Sequence, residues 1–451
     1  MAALRHSFAD GLTRPLAWRR EQLRAVQRLL RDGEAELLDA MHLDMGKPAV
    51  EARLTDLSFV DGEIGVMLRA LGRWSAPERT AVPLVQRPGR ATIVREPLGV
   101  ALVIAPWNYP VHLLLLPMAA AIAAGNCVVG KPSDLAPATS ATLARLAARH
   151  LDPRAVAVVE GGAAETQALL EERFDTIFYT GNAAVGRLVM EAAARHLTPV
   201  TLELGGKSPA LVDADADVEV AARRIAWGKF LNAGQTCVAP DYVLVHREAE
   251  QELVDRLAAQ VERFYGPDPR RSPDYARIVN DRHFDRLGAL LSASSARVAV
   301  GGTTTRAQRY VAPTVLTGVD DDDPVMQDEI FGPVLPVVGV DGIDDAVRFV
   351  AERPKPLALY VFSRSQRTVE RVLAATSSGS VGVNCTVQQL AVPGLPFGGV
   401  GASGMGAYHG RYGYETFSHR RAVLAKPARP DPPVLYPPYG RLGKWVLKRM
   451  A

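Results

Sequence analysis

The chain has 451 residues, 48% hydrophobic and 22% charged, with a formal net charge of +3, a soluble globular composition too long for one ordinary core. So small a charge, with no run of five basic residues, excludes nucleic acid as a partner. Three widely spaced cysteines, Cys127, Cys237 and Cys385, with no C-x-x-C, exclude a disulfide framework and fit a reducing, cytoplasmic setting.

In chain order, Arg5, Asp10 and Arg14 interrupt the start, so no export signal is expected. Leu23, Val26, Leu29, Leu30, Leu37, Leu38 and Met41 recur on one face and predict a helix over 14–42. A second helical pattern reaches about Leu71 and is broken by the charged, proline-bearing segment 74–89. Residues 91–95 and 99–104 read as strands. The stretch 97–130 contains no Asp, Glu, Lys or Arg and is long enough to span a bilayer. Pro106, Pro110, Pro117 and Gly125-Asn126 cut it into a buried strand, a loop, a buried helix and a second strand, so no membrane anchor is expected.

Strands at 127–131, 155–160, 174–180 and 200–204 alternate with helices at 112–124, 137–150, 163–171 and 182–196, which is the signature of a parallel sheet covered on both faces. Ligands of such sheets sit at the strand C-terminal ends. Those ends carry Ile104 to Asn108, Lys131 to Asp134, Gly181-Asn182 and Leu204. A second alternating series begins at Pro209, with helices at 217–231, 248–264, 343–351 and 366–374 and strands at 242–246, 311–316, 334–340, 358–362 and 380–384. After Leu395 the chain is Gly-rich, then rich in Tyr, Pro and Arg, without strong periodicity before the basic end GKWVLKRM. The expected fold is α/β, with two doubly wound parallel-sheet lobes, a Rossmann-like cofactor domain and a catalytic domain, beside a small arm.

The chemistry centres on Cys237, set in the polar loop GKFLNAGQTCVAPDY, where a substrate can approach it. Glu203, in TLELGGKSP, is a candidate base, because a thiol near its free pKa is mostly unionised at neutral pH. Cys127 and Cys385 lie in strand patterns and read as packed thiols. A literal G-x-G-x-x-G at Gly399, Gly401 and Gly404 follows Pro396-Phe397 instead of a buried strand, and no amphipathic helix follows it, so it is not a dinucleotide fingerprint. Gly181 to Gly186 is the better phosphate cradle, since it closes a strand and opens a helix. Gly206-Lys207-Ser208 lacks the earlier glycine of a P-loop. No H-E-x-x-H or metal-ligand histidine spacing occurs.

GQTC with its APDY ending, LELGGKSP, PWNYP, EIFGP and DMGKP occur in one order along nearly the whole chain. Together they resemble the aldehyde dehydrogenase superfamily, and the APDY ending and tyrosine-rich tail resemble its class 3 branch of fatty, aromatic and coniferyl aldehyde enzymes. The resemblance implies NAD or NADP as cofactor and a small-molecule aldehyde, medium-chain aliphatic or aromatic, as substrate. It implies Cys237 as nucleophile, Glu203 as the carboxylate that activates water, and Asn108 with the Cys237 amide as oxyanion donors. The cofactor residues it implies are Ile104, Ala105, Pro106, Trp107, Lys131, Asp134, Gly181, Asn182, Gly186, Leu204, Glu329 and Phe331. Asn182, Ala183 and Asp134 depart from its Gly-Ser-Thr and Lys-Pro-Ser-Glu patterns. The division it implies is 1–82 with 100–204 for the dinucleotide, 205–391 for the nucleophile, and 83–99 with 392–451 as a bridging arm and C-terminal tail, the arm joining a homodimer. A cysteine-dependent esterase and a catalytically silent binding protein on the same fold stay open as alternatives.

Overall fold

The protein's structure, a computed structural model, describes residues 1–433 and 436–450. A six-stranded sheet runs in the order Gly404–Met405, Val200–Glu203, Thr176–Thr180, Val100–Ile104, Cys127–Lys131, Val156–Val158, all parallel except the antiparallel Gly404–Met405 edge. A seven-stranded sheet runs Arg297–Val300, Thr314–Thr317, Val334–Val340, Tyr242–His246, Pro209–Val212, Ala358–Phe362, Ser380–Val383, again parallel apart from its first strand. Glu78–Thr80, Arg90–Pro97 and Ser418–Ala425 form a separate antiparallel sheet.

The charge-free stretch folds as its prolines require. Val100–Ile104 and Cys127–Lys131 are fully buried neighbours, and between them the helix Pro110–Ala124 is buried along its whole length with Pro117 inside it. Its N-terminus is satisfied from outside: one Asp56 carboxylate oxygen accepts the amides of Val111 and His112 at 3.2 and 3.1 Å. Asp56 also pairs with the Lys47 ammonium at 2.6 Å, and both side chains have no exposed surface. Asp44, in the same DMGKP segment, caps the helix Pro137–His150 by accepting from the Ala138 and Thr139 amides. This motif therefore ties two helix N-termini to the N-terminal layer.

Several expectations need correction. The helix over 14–42 is two, Leu16–Asp32 and Glu34–Met45, separated at Gly33. The strand at 311–316 is two short ones, Tyr310–Val311 and Thr314–Thr317. Within 392–451, Gly404–Met405 pairs with Leu202 and Glu203 in the first sheet. The separate antiparallel sheet begins at Glu78–Thr80. Cys385 lies beyond the end of Ser380–Val383 and is half-buried, whereas Cys127 is buried at a strand start. Residues 434, 435 and 451 of the expected arm lie outside the described residues. Among the described residues no helix is long and apolar enough to cross a membrane, and no cluster of three His, Cys, Asp or Glu side chains could hold a metal.

Candidate active site

Four parallel strands bring the residues named at their C-terminal ends into one row. Ile104 is opposite both Lys131 and Tyr179, and Thr180 is opposite Glu203. The ladder continues past the strand ends, with the Ala105 amide donating to the Lys131 carbonyl at 3.0 Å and the Gly181 amide to the Glu203 carbonyl at 2.9 Å. Gly186 lies against Leu204, since a Cβ at Gly186 would stand 3.1 Å from a Leu204 methyl. Trp107 meets Phe331 edge-on, ring centres 5.5 Å apart, beside the half-buried Pro106. Phe331 holds a positive φ of 47°, so the EIFGP turn is bent sharply to make this contact.

Asn182 is exposed and caps the helix Ala183–Ala194, its side-chain oxygen accepting from the Val185 amide at 2.9 Å. The helix N-terminus nevertheless opens at the strand end beside Gly181. The buried Lys131 ammonium, at its strand end, donates to the carbonyls of Pro132 and Gly161 at 2.7 and 2.5 Å. Burial lowers its pKa, against Asp134 and Glu165, which raise it. Asp134 is the exposed member of the pair and faces Gly162.

The Cys237 loop is held on every side. Asn232 and Ala233 carry φ of 51°, and Gly234 follows at 74°; a Cβ there would press on the Gly332 carbonyl and stand 2.9 Å from the Pro333 nitrogen, so only glycine fits. The Gln235 amide donates to the Asn232 and Arg277 carbonyls and accepts from the Val279 amide, each at 3.0 Å. Thr236 shares a 2.6 Å hydrogen bond with the Tyr109 hydroxyl, and the Tyr360 hydroxyl donates to the Val238 carbonyl at 2.5 Å. Asn108 joins this network: its Nδ2 donates to the Gln235 carbonyl at 3.0 Å, and its own carbonyl accepts from Asn232 at 2.8 Å. One N–H of its amide remains for another acceptor.

Cys237 is half-buried. Burial first, then the nearby carboxylates of Glu329 and Glu203, push its thiol up to about 12, while the amides of Cys237 and Val238 donate toward the sulfur and pull the other way. Glu203 is buried, and neither carboxyl oxygen has a hydrogen-bond partner; burial alone raises its pKa well above the usual carboxylate range. Glu329 is half-buried against Gly205 and pushed up to about 8 by burial and Asp241, with the Gly206 amide and the Lys207 and Lys229 ammoniums opposing.

The structure adds groups that sequence reasoning missed. Lys207, rejected as a P-loop lysine, pairs with Asp241 at 2.6 Å, and the fully buried Lys229 stands 3.7 Å from the same carboxylate. Lys47 lies over the Tyr109 ring at 3.8 Å and donates to the Asn108 carbonyl at 3.3 Å. These pairs bridge distant segments, so no local spacing announces them. Two of the G-x-G-x-x-G glycines, Gly399 and Gly404, instead allow close backbone approach around the Gly404–Met405 strand.

A doubly wound α/β chain with a half-buried cysteine near two carboxylates, and with a row of parallel strand ends, is a frame for thiol chemistry with a dinucleotide. A family model described as "Aldehyde dehydrogenase family" matches residues 2–423. The chain is 49% identical over 423 residues to aldehyde dehydrogenase family 3 member A2 of Mus musculus, covering 94% of this chain and 87% of the relative. It is 48% identical to a Rattus norvegicus protein named aldehyde dehydrogenase, dimeric NADP-preferring, covering 94% and 93%. A solved structure described as the substrate bound state of Staphylococcus aureus AldH superposes with a TM-score of 0.97 at 41% identity, covering 100% of this chain and 98% of that one. The chain belongs to the aldehyde dehydrogenase family, and it is an NAD(P)-dependent enzyme of aldehyde oxidation.

Proposed function

We propose that the chain oxidises medium-chain aliphatic or aromatic aldehydes to carboxylic acids through a covalent intermediate on Cys237, as a cytoplasmic homodimer. The observation that carries this reading is the setting of the Cys237 sulfur, half-buried beside two main-chain amides and near the carboxylates of Glu329 and Glu203. The strand-end row, the Ala183–Ala194 N-terminus and the half-buried Glu329 fit a dinucleotide. Ile104, Ala105, Pro106, Trp107, Gly181, Asn182, Gly186, Leu204 and Phe331 would border it. Glu329 would hold the nicotinamide ribose, and Lys131 and Asp134 the adenosine ribose. When bound, the nicotinamide supplies the hydride acceptor.

The chain's own residues do the rest. The Cys237 thiol gives up its proton to solvent, the small thiolate fraction adds to the carbonyl carbon, and the Cys237 amide with the spare Asn108 N–H receives the developing oxyanion; losing one such donor costs roughly 10² to 10³ in rate. Loss of hydride leaves a thioester on Cys237. Glu203 then takes a proton from water, the hydroxide attacks the thioester carbon, and the thiolate leaves with the acid. The raised pKa of Glu203 suits a base that must hold a proton while buried.

The dinucleotide is assigned to 1–82 and 100–204, the nucleophile to 205–391, and the subunit arm to 83–99 and 392–451, with Gly404–Met405 lent to the first sheet. The test mixes the purified protein with an aldehyde panel and NAD or NADP and follows reduced-cofactor absorbance. Acid production with either cofactor supports the reading. Ester hydrolysis without cofactor reduction, or no turnover at all, selects the esterase or the silent binding protein.

A further inference from the structure

The strand Ala358–Phe362 runs in the seven-stranded sheet between Pro209–Val212 and Ser380–Val383, and its middle residue, Tyr360, is fully buried. A buried phenol needs partners for its hydroxyl. This one has three, on two different loops. The hydroxyl donates to the Val238 carbonyl at 2.5 Å and accepts from the Val387 amide at 3.3 Å and the Gln389 side-chain amide at 3.4 Å. Burial pushes the phenol pKa up, with Gln389 and Val387 opposing and the nearby Cys237 and Cys385 adding to it, so the group stays a donor at neutral pH.

The first loop is the turn that carries the nucleophile. The Ala239 amide donates to the Thr236 carbonyl at 3.0 Å, so Cys237 and Val238 are the two central residues of that turn. The amides of both donate toward the sulfur. Tying down the Val238 carbonyl limits how the turn can rock and keeps those amides on the sulfur. The second loop is strained. The Gln388 amide donates to the Thr386 carbonyl at 2.6 Å and closes a three-residue turn around Val387, which has φ 63° and ψ −32°. A β-branched residue avoids that region, and such turns are rare. Strain of this kind persists only where neighbours over-determine it. Here the Val387 amide is held by Tyr360, and the Thr386 hydroxyl donates to the Arg224 carbonyl at 2.6 Å. Further along the same loop the Leu390 carbonyl engages His409. Its neighbour Tyr408 is close enough to Glu203 and Cys237 for both to raise its phenol pKa. Both loops therefore border one site, and a single hydroxyl joins them.

We propose that Tyr360 is a positioning residue for the nucleophile: its hydroxyl clamps the Cys237 turn, through the Val238 carbonyl, to the strained turn at Val387, and so holds the sulfur against its two amides. This rests on the reading that Cys237 is the nucleophile. Without the clamp the turn rocks, the amides leave the sulfur, and the thiolate loses the donors that stabilise it.

The test is Tyr360→Phe, which removes the hydroxyl and keeps the ring. On the intact enzyme, kcat/KM for an aldehyde and the rate of Cys237 alkylation by iodoacetamide should fall together by about tenfold, the effect of a one-unit rise in the thiol pKa. The sign of the alkylation change is decisive, because a merely structural loosening would expose the sulfur and make its alkylation faster. Alkylation that is unchanged or faster overturns the proposal, whatever happens to the melting temperature. Gln389→Leu removes one donor to the hydroxyl at a half-buried position and serves if Tyr360→Phe does not fold. It should lower both rates by about twofold to threefold, and rates equal to wild type overturn the proposal. Turnover of aldehyde by Cys237→Ala would instead overturn the underlying reading, and this proposal with it.

Discussion

A thiol pushed up to about 12 is almost wholly protonated at pH 7, so the free enzyme holds Cys237 in reserve. Alkylation of Cys237 by iodoacetamide in the free enzyme should therefore rise about tenfold per pH unit from pH 7 to 10, without the plateau near pH 8.5 of an ordinary thiol. Peptide mass spectrometry after timed quenching measures it, and Cys237→Ala should abolish turnover while Cys127→Ala and Cys385→Ala keep it. Glu203 gives a second test with a definite sign. A carboxyl whose folded pKa is raised binds its proton more tightly in the folded state, so its burden is absent below its unfolded pKa, near 4.5, and grows as pH rises toward the folded value. Glu203→Gln should melt higher than wild type at pH 8, and the two melting temperatures should converge by about pH 4. The same variant should release a burst of NADH approaching one per site and then stall with the acyl group on Cys237. Unchanged steady turnover would remove Glu203 from the mechanism.

Elements, and the contacts between them, account for what the sequence revealed and what it hid. Strands Cys127–Lys131, Tyr242–His246 and Val334–Val340 and helices Pro137–His150 and Ala163–Glu171 have the expected bounds, because apolar runs set between turn residues are local signals. Ser418–Ala425 gave no signal, since seven of its eight residues are exposed and only pairing with Arg90–Pro97 makes it a strand. Arg297–Val300 and the helix Asp281–Ala293 were missed, the strand because it is a solvent-facing edge with no alternation. At the site, the cysteine, the carboxylates and the strand ends were legible as motifs. The Lys47 and Asp56 pair was not, because nothing in its spacing says that both charges are buried. Asp56→Ala should cost about 3–5 kcal/mol in urea unfolding, as it strands the Lys47 charge and frees two helix amides. Asp56→Asn, which keeps an acceptor for those amides, should cost less.

At the scale of the whole molecule, the Ser418–Ala425 and Arg90–Pro97 pair stands apart from both large sheets, with Tyr412, Tyr436 and Tyr439 exposed near the chain's end. Such surface is what a two-fold partner would cover. Multi-angle light scattering should give twice the 48.6 kDa chain mass. Dilution checks the same point independently, because an active, monodisperse monomer at nanomolar concentration would refute the homodimer.

The Gly404–Met405 edge has a further consequence, in the order of events during synthesis. The strand that carries Glu203 leaves the ribosome with one side unpaired, and its partner is made about 200 residues later. At roughly 5–20 residues per second that edge waits about 10–40 s, open to any other extended chain. The nascent first half is thus the aggregation-prone species, a natural client for a chaperone. A fragment ending at residue 400 should precipitate on refolding where one ending at residue 425 stays in solution, and light scattering of the two during dilution from urea decides it.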